Sequence, residues 1–137
     1  MRLFLDSSSY AKRFIEEPGS ARVDALIGRA TELFLSVLCI PEIFSALNRR
    51  RREGAITREE YVAVKVRIAQ DIEDANIINI TSQIVQTSID ILEYNPVRAL
   101  DALQIACALA CQSDAFVSSD ARQIQAARKS GLKSETV

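Results

Sequence analysis

The sequence contains no histidine, and this absence narrows the chemistry more than any other feature of the composition. Histidine is the commonest general base and the usual nitrogen ligand of zinc, so Ser-His-Asp and Cys-His catalysis are excluded. The three cysteines, Cys39, Cys107 and Cys111, lie in apolar stretches without a Cys-x-x-Cys spacing, and their odd number argues against a disulfide framework. A catalytic metal here would therefore be a hard ion bound by oxygen atoms, such as magnesium or manganese.

The chain also lacks a long apolar run and an excess of positive charge. No stretch of about 18 apolar residues is present, and Asp6 comes too early for the apolar core of a secretory signal, so we expect a cytoplasmic protein that does not enter a membrane. Seventeen basic and 18 acidic residues leave a net charge of -1, so any RNA would be bound locally. A length of 137 residues at 48% hydrophobic content predicts one domain, residues 1–137.

Apolar runs alternate with helical periodicities along the chain. Ser20, Pro41, Thr57 and Thr81 or Ser82 mark helix starts, and further helices are predicted over 100–111 and 120–129. Strands are predicted at 2–5, 33–38, 77–80 and 115–118, with an edge strand within 132–137. This order predicts an α/β fold, a three-layer α/β/α sandwich around a mainly parallel sheet of four to five strands.

Four acidic residues occupy positions that this topology would bring to one edge of the sheet. Asp6 and Asp120 directly follow apolar strands, while Glu42 and Asp101 fall near the starts of the two most apolar helices. Ligands of open α/β sheets bind at the carboxyl ends of the strands, where the following helices begin. Asp114 precedes a strand, so we expect it at the opposite edge.

A plainer interpretation treats these acids as helix caps, because Asp101–Gln104 and Asp120–Gln123 resemble capping boxes. The apolar sequence around Glu42 and Asp101 argues against the capping interpretation, since an unpaired buried carboxylate costs on the order of several kcal/mol. No lysine is near any of the four acids in sequence, and nearby arginines are few, with Arg98 and Arg122 as possible partners. A divalent cation explains the cluster economically.

Taken together, these residues resemble the PIN-domain nucleases, and among them the VapC-like toxins of type II toxin-antitoxin pairs. The resemblance spans nearly the whole chain and rests on these segments: Leu5-Asp6-Ser7-Ser8, Glu16-Glu17-Pro18-Gly19-Ser20, Pro41-Glu42, the run from Arg98 to Ala106, Val117-Ser118-Ser119-Asp120, Ala126-Ala127 and Gly131-Leu132. Gln104 stands where such toxins frequently have histidine, and Ser118 where they commonly have threonine. These two departures replace neutral or weakly basic side chains and leave the four carboxylates unchanged, so they affect the fine adjustment of the site more than its charge.

The resemblance implies a magnesium- or manganese-dependent endoribonuclease that is the toxin of a toxin-antitoxin pair. The implied acidic site consists of Asp6, Glu42, Asp101 and Asp120, with Ser7 and Ser118 as polar neighbours that could hold a metal-bound water. Such an ion would activate water and neutralise charge on the phosphoryl oxygens, neither of which requires histidine. We expect Asp6, Asp101 and Asp120 to hold the metal and Glu42 to act as a ligand or a water-orienting base, with one ion or two left open.

Partners are less sharply defined by the sequence. The resemblance suggests that apolar helix surface between Glu42 and Ala75 forms a homodimer and receives an antitoxin segment. The run Arg49–Arg52 either contacts an RNA backbone or is a solvated helix end whose charge complements the helix dipole. A catalytically silent PIN-like module that binds RNA or protein stays as an alternative. A receiver-type signalling domain does not fit, because Ile77–Ile80 leads into Thr81-Ser82 and not into a phosphoacceptor aspartate.

Overall fold

Five parallel strands form one sheet in the computed structural model, which describes all 137 residues. The strands are β1 (Arg2–Leu5), β2 (Glu32–Ser36), β3 (Asn76–Ile78), β4 (Ala115–Ser118) and β5 (Ser134–Thr136). They lie in the order β3-β2-β1-β4-β5, and all four pairings are parallel. The α/β fold with a parallel sheet is confirmed, and the predicted edge strand is present.

Seven helices connect and cover the strands. They are α1 (Ser7–Ala11), α2 (Ser20–Arg29), α3 (Cys39–Arg52), α4 (Arg58–Asp74), α5 (Ser82–Tyr94), α6 (Ala99–Ala110) and α7 (Ala121–Lys129). None of them is long and apolar enough to cross a bilayer. Thr57 and Glu60 form the predicted capping box of α4, and Thr81 accepts the Ile84 N–H at the start of α5.

The predicted cap of α2 is wrong. Gly19, at a φ of +99°, is the N-cap residue, and Ser20 is the first residue of the helix. The Ser20 hydroxyl instead donates to the Ile15 carbonyl and accepts the Glu17 N–H, which closes the turn before the helix. Glycine takes this left-handed conformation without the steric cost of a Cβ atom, so the backbone and not the side chain determines this helix start.

Side chains on the two faces of the sheet pack into two separate cores. Leu3, Leu5 and Leu35 pack with the layer of α1 to α4, whereas Phe4 and Phe116 lie on the other face with α5, α6 and α7. The rings of Phe4 and Phe116 stack with centroids 5.7 Å apart. Because successive strand residues point to opposite faces, this alternation produces the three-layer α/β/α sandwich.

The strand order reverses between the two central strands. From β1 the sheet grows through β2 to β3 on one side, and from β4 it grows to β5 on the other. The chain therefore leaves β1 and β4 toward opposite faces, and a crevice opens at their carboxyl ends. Asp6 follows β1 and Asp120 lies just beyond β4 at this switch point. Asp114 is at the opposite edge as predicted, accepting the Arg2 N–H at the start of β1 at 2.7 Å.

Helix α6 offers a test of the packing of this sandwich, because its Ile105 is fully buried and its Leu100 is exposed. Ile105→Ala is expected to lower the free energy of unfolding by about 2–5 kcal/mol, since it leaves a cavity beneath the sheet. Leu100→Ala, at a side chain that is 45% exposed, should cost less than about 1 kcal/mol. Urea unfolding measures both, and equal losses would show that α6 does not pack as described.

Candidate active site

Asp6 is a buried carboxylate held by four donors. The residue is 3% exposed. The Ser9 N–H and hydroxyl both donate to Oδ1 at 2.8 Å, the Ser8 hydroxyl lies 2.8 Å and 2.9 Å from the two carboxylate oxygens, and Ser118 donates to Oδ2 at 2.6 Å. Asp6 thus caps α1 and joins it to the ends of β1 and β4, because its own N–H donates to the Val117 carbonyl at 3.1 Å.

Burial raises the pKa of Asp6 above its ordinary value, because removing the carboxylate from water penalises its charged form. Hydrogen bonds from Ser118, Ser9 and Ser8 oppose this effect without cancelling it. At neutral pH the charge at Asp6 is therefore costly unless a cation compensates it. Positive side chains do not do so, since every hydrogen-bond donor to the carboxylate is a hydroxyl or the Ser9 N–H.

Glu42 lies in the first turn of α3, opposite α1 and α6. The Ser7 hydroxyl donates to Oε1 at 2.8 Å, and Gln104 Nε2 donates to the same oxygen at 3.1 Å and to Ser7 Oγ at 2.9 Å. Gln104 is 2% exposed, and its own Oε1 has no hydrogen-bond partner. A buried amide oxygen without a partner is unusual, because it forfeits its hydration without replacement.

Asp101 and Asp120 lie at the starts of α6 and α7. Asp120 is the N-cap of α7 and accepts the N–H groups of Arg122 and Gln123 at 2.8 Å and 3.3 Å, as the capping interpretation predicts. The expected box at Asp101–Gln104 is not formed. Asp101 is the third helical residue, where its Oδ2 receives the Arg98 N–H at 3.4 Å and lies 3.5 Å from Arg98 Nε.

One cavity collects all four predicted acids. We call it the acidic pocket; it has a volume of about 130 Å³ and no hydrophobic residue in its wall. Its lining consists of Asp6, Ser7, Ser8, Glu42, Arg98, Asp101, Gln104, Asp120 and Gln123. Ser118 supports the pocket from behind, through Asp6 and through the Asp120 N–H that it accepts at 3.0 Å. Arg98 is the only cationic residue of the lining.

The four acids coexist because each lies at the N-terminus of a helix. Asp6 and Asp120 cap α1 and α7, while Glu42 and Asp101 occupy the first turns of α3 and α6. Unsatisfied N–H groups and the helix dipole make these ends electropositive, which favours carboxylates by about 0.3–1 kcal/mol each. The helix starts therefore supply part of the positive potential that the absence of lysine leaves missing.

The donor set of the acidic pocket fits the expected hard cation. It offers oxygen atoms and no cysteine or histidine, and magnesium and manganese prefer carboxylate and water ligands. Gln104, whose buried Oε1 has no hydrogen-bond partner, also lines the pocket. As the side chains stand, no three acidic or cysteine residues lie close enough to share one ion. Binding would therefore require rotation of carboxylates such as Glu42, now held by Ser7 and Gln104.

Three contributors to the pocket were missed by the sequence reasoning. Ser8 and Ser9 saturate Asp6, and Gln123 joins the layers by donating to the Asp101 carbonyl at 3.3 Å while its Oε1 lies 2.9 Å from Ser118 Oγ. The consecutive serines after a strand were a usable signal, because an acid buried there needs several donors nearby. Gln123 had no such signal in the sequence.

Comparison with known proteins identifies the family to which this fold belongs. The PIN domain family model matches residues 3–129, so the chain belongs to the PIN domain family. No curated protein matches.

Solved structures share the fold at low sequence identity. FitAcB from Neisseria gonorrhoeae is 14% identical, with a TM-score of 0.72 over 96% of this chain and 95% of that one. VapC20 of Mycobacterium tuberculosis, described as a sarcin-ricin loop cleaving toxin, is 16% identical, with a TM-score of 0.69 over 90% and 94% of the two chains. A toxin-antitoxin complex from Klebsiella pneumoniae is 17% identical, with a TM-score of 0.66 over 90% of each.

Asp6→Asn is expected to stabilise the metal-free protein at neutral pH. The asparagine side-chain oxygen can accept the Ser9 N–H and so keep the α1 cap, and its amide can donate to Ser118 Oγ. The Ser118 hydroxyl then donates to Gln123 Oε1. The pKa of Asp6 is higher in the folded chain than in the unfolded chain, so between these two pKa values the folded state holds a proton at Asp6 that the unfolded state has lost. The free energy of unfolding of the parent protein therefore falls as pH rises from 3.8, the ordinary value, through the folded pKa. At pH values above the folded pKa, the cost of the buried charge at Asp6 remains in full, and asparagine removes that cost because it carries no charge.

Urea unfolding in EDTA between about pH 4 and pH 8 measures this effect. The free energy of unfolding of Asp6→Asn should decline less with pH than that of the parent chain. Asp114→Asn, at the opposite edge of the sheet, should keep the parent pH dependence. A variant at position 6 that is less stable at every pH would show that the carboxylate is a structural cap.

Proposed function

We propose that this chain is a magnesium- or manganese-dependent endoribonuclease and the toxin of a toxin-antitoxin pair. The observation that carries the proposal is the acidic pocket itself. Four carboxylates converge, with no aliphatic residue in the wall, at the switch point of a parallel sheet in a PIN domain. A fold does not need four acids at helix starts to be stable, whereas phosphodiester hydrolysis by a hard cation needs such ligands.

The roles of the residues follow from their surroundings. Asp6, Asp101 and Asp120 would hold the ion, directly or through water, and Glu42 either joins them or orients the attacking water. A bound magnesium would lower the pKa of water and offset charge on the phosphoryl oxygens. Ser7 and Gln104 orient Glu42, and Ser118 fixes Asp6, so these polar side chains hold the acids in place.

The related structures support this substrate and partner class. VapC20 is described as cleaving the sarcin-ricin loop, and the Klebsiella pneumoniae structure as a toxin-antitoxin complex. For the present chain we infer an RNA substrate, a cognate antitoxin and a cytoplasmic location. The acidic pocket would accept a basic antitoxin residue, because a guanidinium can neutralise several carboxylates.

Removal of the metal or of one carboxylate is expected to stop RNA cleavage. Magnesium or manganese should raise the melting temperature of the parent chain and activate cleavage, and excess EDTA should abolish both effects. Asp6→Asn, Asp101→Asn and Asp120→Asn should each lower kcat by about 100-fold or more while remaining folded. Gel analysis of a labelled RNA, with thermal melting of each variant, makes the measurement.

Asp114→Asn is the matched control, since it makes the same change at the opposite edge of the sheet and should remain active. Cleavage that persists in excess EDTA, or an Asp101→Asn variant as active as the parent chain, would contradict the proposal. Metal binding without any RNA cleavage would favour the catalytically silent PIN-like module.

A homodimer is expected to form through exposed aliphatic side chains on α4. Val62 and Val66 are 52% and 55% exposed and lie one helical turn apart. Adjacent exposed aliphatic side chains on one helix face suit a contact with a second copy of the chain. The apolar surface expected on α3 is absent, because its large apolar residues Ile43, Phe44 and Leu47 are buried or half-buried.

Light scattering at micromolar concentration should give a dimer for the parent chain and a monomer for Val62→Lys/Val66→Lys. Val85→Lys/Ile89→Lys, on the exposed face of α5, is the control and should stay dimeric. A monomeric parent chain without a co-purifying small protein would count against the toxin assignment, although the nuclease assignment could survive it. Loss of the dimer in the α5 variant alone would move the interface to that helix.

A further inference from the structure

Two wider clefts adjoin the acidic pocket and share lining residues with it. The first, called the α3 cleft, has a volume of about 440 Å³ and shares Ser7, Ser8, Glu42 and Arg98 with the pocket. The second, called the α7 cleft, also has a volume of about 440 Å³ and shares Arg98, Asp101 and Asp120 with it. The two clefts share only Arg98 with each other, so the acidic pocket lies between them and the three cavities form one continuous groove.

Arginine side chains line both arms of this groove. Arg49 and Arg50, from the last turn of α3, line the α3 cleft, and Arg122 lines the α7 cleft. Arg98 lines all three cavities, and its side chain is 87% exposed. The sequence left open whether the run Arg49–Arg52 contacts RNA or is a solvated helix end. The four arginines differ in the structure, because Arg51 stacks on Tyr61 and Arg52 lines none of these cavities.

Two of the arginines that line the arms of the groove are not paired with any acid. Arg49 and Arg122 are exposed and form no ion pair. Arg50 lies 3.6 Å from Glu17, but Glu17 is already paired with the buried Lys12 at 3.4 Å. Guanidinium groups suit phosphate oxygens, since they present several N–H donors in one plane.

We propose that Arg49 and Arg122 bind the backbone phosphates on either side of the scissile phosphate, so that one RNA strand crosses the acidic pocket from the α3 cleft to the α7 cleft. Acids lie where the reacting phosphate and its cation would sit, and arginines lie where the neighbouring phosphates would pass. Beyond the residues shared with the acidic pocket, the charged lining is Arg49 and Arg50 against Glu17 in the α3 cleft, and Arg122 alone in the α7 cleft. Each arm therefore has an excess of positive charge outside the pocket, which favours a polyanion over a basic peptide. This inference rests on the ribonuclease function proposed above and identifies positioning residues for that reaction.

No aromatic side chain lines any of the three cavities. Base stacking on aromatic residues therefore contributes nothing along the arms, and the arginine contacts to phosphate dominate. Binding in the arms should thus depend strongly on salt and weakly on base sequence. Removing a phosphate contact should reduce the slope of log affinity against log salt by about 0.7 for a single strand.

The test measures the binding of a fluorescein-labelled oligouridylate of about 12 nucleotides in EDTA, at a series of salt concentrations, by anisotropy. Arg49→Ala and Arg122→Ala should each reduce the salt slope by about 0.7, and the double variant by about 1.4. Arg52→Ala is the matched control, because it removes the same charge from the end of α3 outside the groove, and it should bind as the parent chain does. In magnesium, the two groove variants should raise KM for RNA cleavage with little change in kcat.

An unchanged slope in both groove variants would overturn the inference, as would an equal loss in Arg52→Ala, which would indicate diffuse surface charge. Retained RNA binding combined with lost binding of a co-expressed protein partner would also overturn it and assign the clefts to that partner. Failure of the proposed function is distinguishable, because it would appear as absent cleavage by the parent chain whatever the salt slopes are.

Discussion

The burial of one carboxylate at the switch point of the sheet organises the rest of this molecule. Asp6 lies almost out of reach of water at the junction of β1, β4 and α1. An ionised carboxylate in such a place is tolerated only when donors surround it, and here three serine side chains and one backbone N–H do so. These bonds tie the two central strands to the first helix, so the geometry of the acidic pocket depends on how this charge is solvated.

The remaining acids extend the same principle to three further helix starts. Each of the helices α3, α6 and α7 presents its electropositive end to the pocket, and each carries one carboxylate there. Helix ends and a single exposed arginine replace the lysine that a buried ionic cluster would ordinarily contain. The arrangement fits the hard cation that we propose as the partner of these carboxylates.

The fold and the positions of the acids were predictable from local patterns, because short apolar strands, helix caps and the alternation of strands with helices are each visible in residues that are close in sequence. Asp6 and Asp120 were placed by the strands before them, and Asp114 was assigned correctly to the opposite edge. The start of α2 was assigned wrongly, since Ser20 and Gly19 are both plausible caps and only the positive φ of Gly19 decides between them. Contacts that join distant residues, such as Gln104 with Glu42 or Gln123 with the Asp101 carbonyl, leave no periodic signal. The two arms of the groove could not be predicted either, because they depend on which arginines of the run Arg49–Arg52 line the cleft beside the acidic pocket.

We propose that the four acids of the acidic pocket form one cation-binding centre. Electron paramagnetic resonance of manganese tests it without any RNA, because bound manganese loses the sharp signal of the free ion. We expect the parent chain and Asp114→Asn to deplete the signal of free manganese at stoichiometric protein, whereas the double variant Asp101→Asn/Asp120→Asn should not. A double variant that binds manganese as the parent chain does would contradict the account, as would a parent chain that leaves the signal of the free ion undiminished.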